Sequence, residues 1–420
     1  MEIIIHRGTK EIGGTCVELV ISKKRLLLDI GLPLDYDEWT VEEREEYEKK
    51  MSGIIEKADA IFLSHYHQDH IGLLKLVNKS TPIYLSDPTI RAIRIPEMFF
   101  GDGFIELNFI PLYDKKEVNE IGGILITPYR VDHSAFGAMA FLIEDLELNK
   151  SLLYTGDIRL HGLSKTSYLS LKQNVDYLLL EGTNIGRYSE EGLMSEEKAC
   201  ENFIDIFQNH PNHLNYVWAS ALNIDRIKGL YDACKKTNKV LAVDFYTMNI
   251  LKSMSKHHPD VPYGVSYPYI KCFCPQYLAS YIINFKRRSY LINHLRDSKI
   301  SKAEIKENPS KFVVMIRPRM IYDIKYIDAE KANYITSIWK EYEKDEKNKP
   351  FFDYIEKRGY NKFYNHTSGH AFVEGLEELN RFVNPKNIIP IHTQEANLYK
   401  NIFPSSSILN LNDGERHLLD

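Results

Sequence analysis

Short apolar runs alternate with amphipathic stretches along most of this chain. Residues 58–64 and 151–156 have the length and composition of buried strands, whereas residues 42–57 and 88–98 have the spacing of helices. The alternation predicts layered α/β structure. Polar residues follow the apolar runs directly, and the ends of strands are where layered α/β folds usually carry their chemistry.

The pattern changes near residue 190 and changes back near residue 360. Between these points the apolar runs and helical stretches alternate as βα units, which predicts an inserted domain of the doubly wound type. We therefore expect a first domain formed by residues 1–190 and 361–420, with residues 191–360 inserted. The spacing also predicts helices over residues 71–78 and 329–344.

Composition narrows the class of protein. The chain has 420 residues, 44 % of them apolar and 26 % charged, with a formal net charge of −5. That charge argues against a wholly basic polyanion binder, although a local groove can still be basic. The N-terminus lacks the features of a signal peptide, and no apolar run approaches the roughly 18 residues of a membrane span. We expect a cytoplasmic protein without a membrane partner.

The five cysteines do not predict a disulfide framework, because their number is odd and their spacing sparse. Cys272 and Cys274 form a C-x-C pair, for which a metal clip is the alternative interpretation. A structural zinc site needs four ligands, and no second pair lies nearby. We therefore favour two separate thiols.

The strongest chemical signal is a cluster of three histidines and one aspartate within six residues. His65 and His67 point the same way if the segment is extended, whereas Asp69 and His70 follow a turn and face another point. Imidazoles and a carboxylate suit zinc, manganese or iron. A polar surface loop is the plain alternative, but the cluster ends an apolar strand, a usual position for function.

Three further residues occupy the same kind of position. His133, Asp157 and His392 each follow a short apolar strand. Singly, each is more often a capping or surface residue, but their shared position favours metal ligation. Together with the cluster they supply enough ligands for two cations.

These motifs carry a resemblance to a known family. Ser64-His65-Tyr66-His67-Gln68-Asp69-His70-Ile71-Gly72, followed by His133 and Asp157, resembles the metallo-β-lactamase superfamily. Glu181-Gly182-Thr183, Ser368-Gly369-His370 and Pro390-Ile391-His392 resemble the additional motifs of its β-CASP nucleases, and residues 219–226 resemble the inserted domain of ribonuclease J-like members.

The resemblance implies an α/β fold with four αββα layers and an inserted doubly wound α/β (β-CASP) domain. The C-terminal domain usual in ribonuclease J enzymes is not expected, because 28 residues follow His392.

The resemblance also implies roles for individual residues. One metal ion would be held by His65, His67 and His133, a second by Asp69, His70 and His392, with Asp157 bridging both and acting with Asp69 in catalysis. Asp29 would orient residues 65–70, which we call the metal loop, from outside the set of ligands. His370 would be the general acid, held by Glu181, while Ser368 and Gly369 would join it in binding a substrate phosphate. His366 is expected to be a supporting residue.

The resulting hypothesis is a ribonuclease with two zinc ions, manganese being the alternative, that cleaves single-stranded RNA. A DNA nuclease of the same chemistry, a metallo-hydrolase of small esters or thioesters, and a non-catalytic RNA-binding scaffold are the alternatives. The sequence leaves open whether cleavage is internal or starts from an end, and whether the chain forms a homodimer.

Overall fold

The computed structural model describes residues 1–101, 106–119, 121–187, 194–279 and 290–419. In these ranges the strands are β1 (Glu2–Arg7), β2 (Cys16–Ile21), β3 (Lys24–Leu28), β4 (Ala60–Phe62), β5 (Ile83–Ser86), β6 (Phe109–Leu112), β7 (Ile124–Arg130), β8 (Met139–Asp145), β9 (Lys150–Tyr154), β10 (Tyr177–Glu181), β11 (Leu214–Trp218), β12 (Val240–Asp244), β13 (Ile270–Phe273), β14 (Phe312–Ile316), β15 (Ala332–Thr336), β16 (Asn361–Tyr364), β17 (Asn387–Ile391), β18 (Ser407–Ile408) and β19 (Arg416–Leu418).

The helices of the same ranges are α1 (Val41–Ile55), α2 (Gln68–Ile71), α3 (Asp87–Phe100), α4 (Glu196–Asn209), α5 (Ile224–Lys236), α6 (Phe245–Met254), α7 (Tyr290–Asn293), α8 (Lys302–Glu307), α9 (Ile321–Ile327), α10 (Lys349–Lys357), α11 (Val373–Val383) and α12 (Tyr399–Ile402). The chain divides into two compact units. The first comprises Met1–Ile93, Gly103–Gly192 and Gly369–Asp420, and the second Arg94–Asp102 and Leu193–Ser368.

Two sheets face each other in the first unit. Their strand orders are β19-β1-β2-β3-β4-β5-β6 and β18-β17-β10-β9-β8-β7. Alternate residues point into the space between them, so Leu26 and Leu28 of β3 share one buried cluster with Leu152 and Tyr154 of β9. This period of two is what one buried face of each sheet requires.

Helices cover the outer surface of this sandwich. The other face of the second sheet, represented by Leu178 and Leu180, packs against Leu376 and Leu379 of α11. On α1, Met51 and Ile55 are buried, and Thr40 caps the helix in a capping box with Glu43. The predicted four-layer αββα fold is confirmed.

The second unit contains a six-stranded sheet in the order β13-β12-β14-β11-β15-β16. All its neighbouring strands pair in parallel. From β11 the chain first moves toward one edge, through β12 and β13, and later toward the other, through β15 and β16. This is doubly wound topology, and the predicted inserted α/β fold is confirmed.

Two predicted helices are wrong, and tertiary pairing explains both. Residues 329–344 contain β15 and a short 3-10 helix, Lys340–Lys344, instead of one charged helix. All five residues of β15 are buried, with β11 on one side and β16 on the other. Asn333 also joins the amides of Asn215 and Asn361 in a ladder of hydrogen bonds of 2.8 and 2.9 Å.

The helix predicted over residues 71–78 is replaced by α2 and the 3-10 helix Leu74–Leu76. Helix α2 stops because its carbonyls have other partners. The carbonyls of Asp69 and His70 accept hydrogen bonds from the backbone N–H groups of Thr15 and Ile30, at 3.0 and 2.8 Å. The backbone is therefore tied to the first sheet instead of to a further turn of helix.

One boundary also differs. Residues 361–364 were expected in the first domain, but they form β16, which pairs with β15 in the sheet of the second unit.

All five cysteines are free thiols, and Cys272 and Cys274 are absent from every metal-binding group among the described residues. In the same part of the chain, no helix has the length and apolar character needed to cross a bilayer.

A buried ion pair in the second unit provides a test of this packing. The Arg226 guanidinium donates to both carboxylate oxygens of Glu196, at 2.9 and 3.1 Å, and to Ser337. Arg226→Ala leaves the Glu196 carboxylate buried without its cation, so we expect a loss of about 3–5 kcal/mol in the free energy of unfolding. Urea denaturation measures it.

Lys228→Ala is the matched control. Lys228 pairs with Asp232 at 2.8 Å on the same helix, but both side chains are partly exposed to solvent. This variant is expected to lose less than about 1 kcal/mol. Equal losses in the two variants would contradict the role assigned to the buried pair.

Candidate metal centre

The ends of parallel strands bring the candidate residues together in the first unit. Asp29 follows β3 and His65 lies three residues after β4, while Asp157 lies three residues after β9 and His392 directly follows β17. Glu181 is the last residue of β10, which pairs with both β9 and β17. Parallel strands end at one edge, so their terminal side chains converge.

Three groups of side chains have ligand atoms within 4.8 Å of one another. The first is His65, His67, His133 and Asp157, and the second is Asp69, His70, Asp157 and His392. The third is Glu181, His370 and His392. Asp157 belongs to the first two groups, which is the position required of a bridging carboxylate.

The Asp157 carboxylate lies among imidazole nitrogens. Its Oδ2 is 3.1 Å from His70 Nε2, 3.6 Å from His65 Nε2 and 3.8 Å from His133 Nε2. Its Oδ1 is 3.6 Å from His392 Nδ1. The three longer distances exceed those of good hydrogen bonds, and all four suit groups that share a cation placed between them.

Several of these atoms are buried without a hydrogen-bond partner among the described residues. They are His65 Nε2, His70 Nε2 and both carboxylate oxygens of Asp157. Buried polar atoms are normally paired, because an unpaired one costs about 1–3 kcal/mol. Nitrogen and carboxylate donors left open toward one point fit divalent cations such as zinc or manganese.

Asp29 holds the metal loop from behind through four hydrogen bonds. Its carboxylate accepts from the backbone N–H and hydroxyl of Ser64, both at 2.7 Å, and from the Tyr154 hydroxyl at 2.6 Å. The fourth bond, of 2.8 Å, joins Asp29 to His70 Nδ1 and leaves His70 Nε2 to face Asp157. Such contacts fix the ring orientation of a metal ligand.

Two more histidines are oriented by groups that the sequence pattern did not reveal in that role. His133 Nδ1 lies 2.5 Å from the carbonyl oxygen of Gly369, and His392 Nδ1 lies 2.8 Å from the hydroxyl of Thr183. Each contact leaves Nε2 directed into the cluster. Thr183 belongs to the Glu-Gly-Thr motif, but a sequence cannot show which histidine its hydroxyl meets.

Backbone strain marks two of these positions. Asp29 has φ 58° and His392 has φ 51°, in the left-handed region that residues with a side chain rarely adopt. Such conformations cost of order 1–3 kcal/mol and persist where the surroundings impose them. Here the four hydrogen bonds of Asp29, and the 2.7 Å bond from His392 N–H to the Gly8 carbonyl, impose them.

His370 and Glu181 form a second pair beside the cluster. His370 Nδ1 lies 3.3 Å from Glu181 Oε1 and 3.7 Å from Asp157 Oδ2. Glu181 is fully buried and also accepts the backbone N–H of Thr183 at 2.8 Å. The His370 side chain is the more accessible partner, with 20 % of it exposed.

Burial lowers the pKa values of three histidines in the cluster. Burial lowers the pKa of His67 to about 4 and holds the pKa values of His65 and His133 well below the ordinary value. These three imidazoles are therefore neutral near pH 7, the form that binds metal ions.

For the two carboxylates and His370, neighbouring charges outweigh the effect of burial on the pKa. Burial alone would raise the pKa of Asp157, but the facing His392 and His70 imidazoles hold it well below its ordinary value. For Asp69, the opposing effect of His70 likewise outweighs burial and lowers the pKa. Burial opposes the charged form of His370, yet Asp157 and Glu181 raise its pKa to about 9. These two carboxylates therefore favour the protonated form of His370 at neutral pH.

A buried ion pair braces two of the ligand-bearing loops. Arg159 donates to Asp132 at 3.1 Å, and each of these residues lies within two positions of a ligand candidate, Asp157 or His133. The N–H of Gly162 donates to the same carboxylate at 2.8 Å. The pair therefore joins the loop after β7 to the loop after β9.

The three residues of the predicted phosphate-binding triplet have different surroundings. His370 lies beside Glu181 as described, and the Gly369 carbonyl lies beside His133 Nδ1. A side chain at position 369 would approach the Ser134 hydroxyl to 2.4 Å, which explains the glycine. Ser368 is the last residue of the second unit.

Comparison with known proteins places these residues in two family models. Residues 43–240 match a model described as a beta-lactamase superfamily domain. Residues 354–400 match one described as a Zn-dependent metallo-hydrolase RNA specificity domain. Together they contain every predicted site residue except Asp29.

Two curated proteins whose names contain RNase are similar to part of this chain. The chain is 26 % identical over 208 residues to "Probable RNase MJ4" of Methanocaldococcus jannaschii, covering 44 % of this chain and 45 % of that protein. It is 28 % identical over 193 residues to an "RNase J-like protein" of the same organism, covering 42 % of this chain and 41 % of that protein. The matches thus span less than half of these relatives.

A solved structure matches the whole fold. A protein of unknown function from Enterococcus faecalis V583 superposes with a TM-score of 0.76 over 99 % of both chains, at 19 % sequence identity. At this identity the likeness shows that the arrangement of strands and helices is shared.

Gly31 provides a test of the metal loop. A Cβ atom built at this position would lie 1.7 Å from the Asp69 carbonyl oxygen and 2.9 Å from the Thr15 nitrogen. Gly31→Ala must therefore displace the backbone that carries Asp69 and His70. We expect a loss of bound metal, measured by elemental analysis of the purified protein, and of about 1–3 kcal/mol in stability.

Gly53→Ala is the control substitution. A Cβ atom at Gly53, within α1, meets nothing within 4 Å. This variant should keep its metal and gain up to about 1 kcal/mol in stability, because alanine favours the helix. A Gly31→Ala protein with full metal content would contradict the proposed coupling.

Proposed function

We propose that this chain, which belongs to the metallo-β-lactamase superfamily and its β-CASP group, is a ribonuclease that hydrolyses single-stranded RNA with two zinc ions. Manganese is the alternative metal. The observation that carries the proposal is Asp157, shared by two sets of ligands, with the His370–Glu181 pair 3.7 Å from it. The RNA specificity domain at residues 354–400, and the names of the relatives, favour RNA over DNA.

The groups described above support the following ligand sets. His65, His67 and His133 would hold one cation, Asp69, His70 and His392 the other, and Asp157 both. When bound, such a pair of cations supplies Lewis acidity, lowering the pKa of a water molecule and offsetting negative charge on phosphate oxygens. The imidazoles of His70, His133 and His392, which Asp29, Gly369 and Thr183 orient, would need little rearrangement to bind.

His370 would act as the general acid for the departing oxygen. It has one nitrogen toward Glu181 and Asp157, and these carboxylates favour its protonated form. Its other nitrogen, Nε2, would deliver the proton. Because an alkoxide is a poor leaving group, such a donor contributes typically 10²- to 10⁴-fold to the rate.

Glu181 would act through His370. Its carboxylate is fixed by the N–H of Thr183, so it can orient the imidazole and stabilise the positive charge. The carbonyl of His370 accepts from the side-chain amide of Asn184 at 3.0 Å, which fixes the backbone as well. Ser368 would donate its hydroxyl to a phosphate oxygen. Gly369 has no side chain that would collide with Ser134 beside it.

Metal dependence is the first test. Zinc- or manganese-loaded protein should cleave a labelled single-stranded RNA, and a chelator should abolish cleavage. His67→Ala removes one ligand from the first set, so we expect at least a hundredfold lower rate and fewer bound metal ions per chain. Gel analysis of the RNA and elemental analysis of the protein measure the two effects.

The same assay separates the alternatives. A DNA strand of the same sequence should compete poorly and be cleaved more slowly than the RNA. Cleavage that survives chelation would refute the metal-dependent mechanism. Equal cleavage of RNA and DNA would replace ribonuclease by a nuclease of broader specificity.

The role of His370 predicts a dependence on the leaving group. His370→Ala should slow RNA cleavage by about 10²- to 10⁴-fold, because the departing oxygen lacks its proton. Hydrolysis of a bis(nitrophenyl) phosphate should fall much less, since nitrophenolate leaves without a proton. The two rates are measured on the same metal-loaded preparation.

Metal content serves as the control for this variant. His370→Ala should bind as much metal as the parent chain, because both ligand sets, seven residues in all, remain complete. Equal losses on RNA and on the nitrophenyl ester would argue against a proton donor and for a structural effect.

A further inference from the structure

We propose that the second unit carries a binding face for single-stranded RNA, formed by tyrosines interleaved with cationic side chains. We call it the tyrosine–cation face, and it consists of Lys302, Lys306, Tyr322, Lys325 and Tyr326. None of these residues belongs to the candidate metal centre. The choice of RNA as the ligand rests on the proposed function. The position of the face rests on the geometry described below.

Helix α9 turns two aromatic rings outward. Its buried side consists of Asp323, Ile324 and Ile327. Tyr322 and Tyr326, four residues apart, are 66 % and 51 % exposed and lie on the same side of the helix. Because these rings bury little area, the fold gains little from them, and they are available to a ligand.

Cations are held over both rings. The Lys306 ammonium lies 5.3 Å from the centre of the Tyr326 ring, and that of Lys302 lies 5.8 Å from it. The Lys325 ammonium lies 5.9 Å from the Tyr322 ring. These distances are within the range of cation–π attraction.

Two of the lysines are also fixed by other contacts. Lys306 donates to the carbonyl of Tyr326 at 3.0 Å, and Lys302 pairs with the buried Asp323 carboxylate at 2.5 Å. The ammonium groups therefore stay beside the ring without help from a ligand. A face with its cations already in place pays less ordering entropy when it binds.

The local charge is opposite to that of the chain. Residues 296–325 contain eight Lys and Arg against four Asp and Glu, a local charge of +4, whereas the whole chain carries −5. Arg319, which is exposed, lies three residues before Tyr322 in the sequence and adds to this local positive charge. A polyanion is therefore favoured here over a neutral or acidic partner.

Exposed rings beside ammonium groups suit a single strand better than a duplex. Unpaired bases can stack on tyrosines while their phosphates lie near the cations, and such stacking depends little on sequence. In a duplex the bases are already stacked on one another, so they offer no free face on which a tyrosine ring can stack. The face thus fits a segment of single-stranded RNA bound independently of its sequence.

The test measures binding without cleavage. The full chain carrying His67→Ala is titrated into a fluorescein-labelled single-stranded RNA of about twenty nucleotides, with chelator present, and fluorescence anisotropy is recorded. Adding Tyr322→Ser and Tyr326→Ser should weaken binding about 10- to 100-fold, as expected for the loss of two stacking rings. Unchanged melting curves would show that α9 still packs.

Tyr113→Ser is the matched control. Tyr113 is 53 % exposed and has the Lys116 ammonium 5.5 Å from its ring, but it is a single pair in the first unit. Its loss should leave RNA affinity within about twofold. A Tyr113→Ser effect as large as that of the double variant would overturn the proposal, since any exposed tyrosine would then suffice.

The remaining outcomes separate this proposal from the ribonuclease proposal. Equal affinity of the parent and the double variant, or no binding by either, overturns the tyrosine–cation face even if the metal-loaded chain cleaves RNA. Tyrosine-dependent binding by a chain that never cleaves RNA supports the face and refutes the ribonuclease. The parent chain could also be a dimer that the double variant converts to a monomer without a change in RNA affinity. That result would show that the face joins two copies of the chain, and it would overturn the proposed RNA-binding role.

Discussion

The Asp157 carboxylate is buried in the first unit, with imidazole nitrogens of His70 and His65 at 3.1 and 3.6 Å and no hydrogen-bond partner among the described residues. Burial disfavours both a lone carboxylate and positive imidazoles, so the cluster is costly unless a cation joins its members. The two sheets must therefore hold several polar side chains in an arrangement that their own interactions do not favour. The scaffold around the centre follows from this requirement.

A rigid backbone and fixed ring orientations hold these buried polar side chains in place. Strands packed face to face supply the frame, and the ligands come directly after their ends, where the backbone leaves the sheet. Asp29 illustrates the cost and the benefit together: it occupies a left-handed conformation, yet its carboxylate fixes Ser64, His70 and Tyr154 at once. Supporting contacts of this kind preorganise a metal site before any cation arrives.

The second unit uses buried charge differently. Arg226 and Glu196 are fully hydrogen-bonded inside it, so this pair stabilises a particular packing and leaves nothing open to a ligand. Its available chemistry lies on the surface instead, where Tyr322 and Tyr326 remain exposed beside fixed lysines. If both proposals hold, one unit cleaves the phosphodiester and the other contributes affinity for the strand that contains it.

The sequence by itself determined the layered α/β class, the doubly wound insertion and the candidates for metal ligation, because hydrophobic periodicity and closely spaced histidines are local signals. It could not determine the end of α2 or the strand nature of β15, since backbone partners distant in sequence decided both. Nor could it show that Gly369 and Thr183 orient His133 and His392. Those contacts join residues more than 200 positions apart, and only the tertiary structure brings such residues within hydrogen-bonding distance.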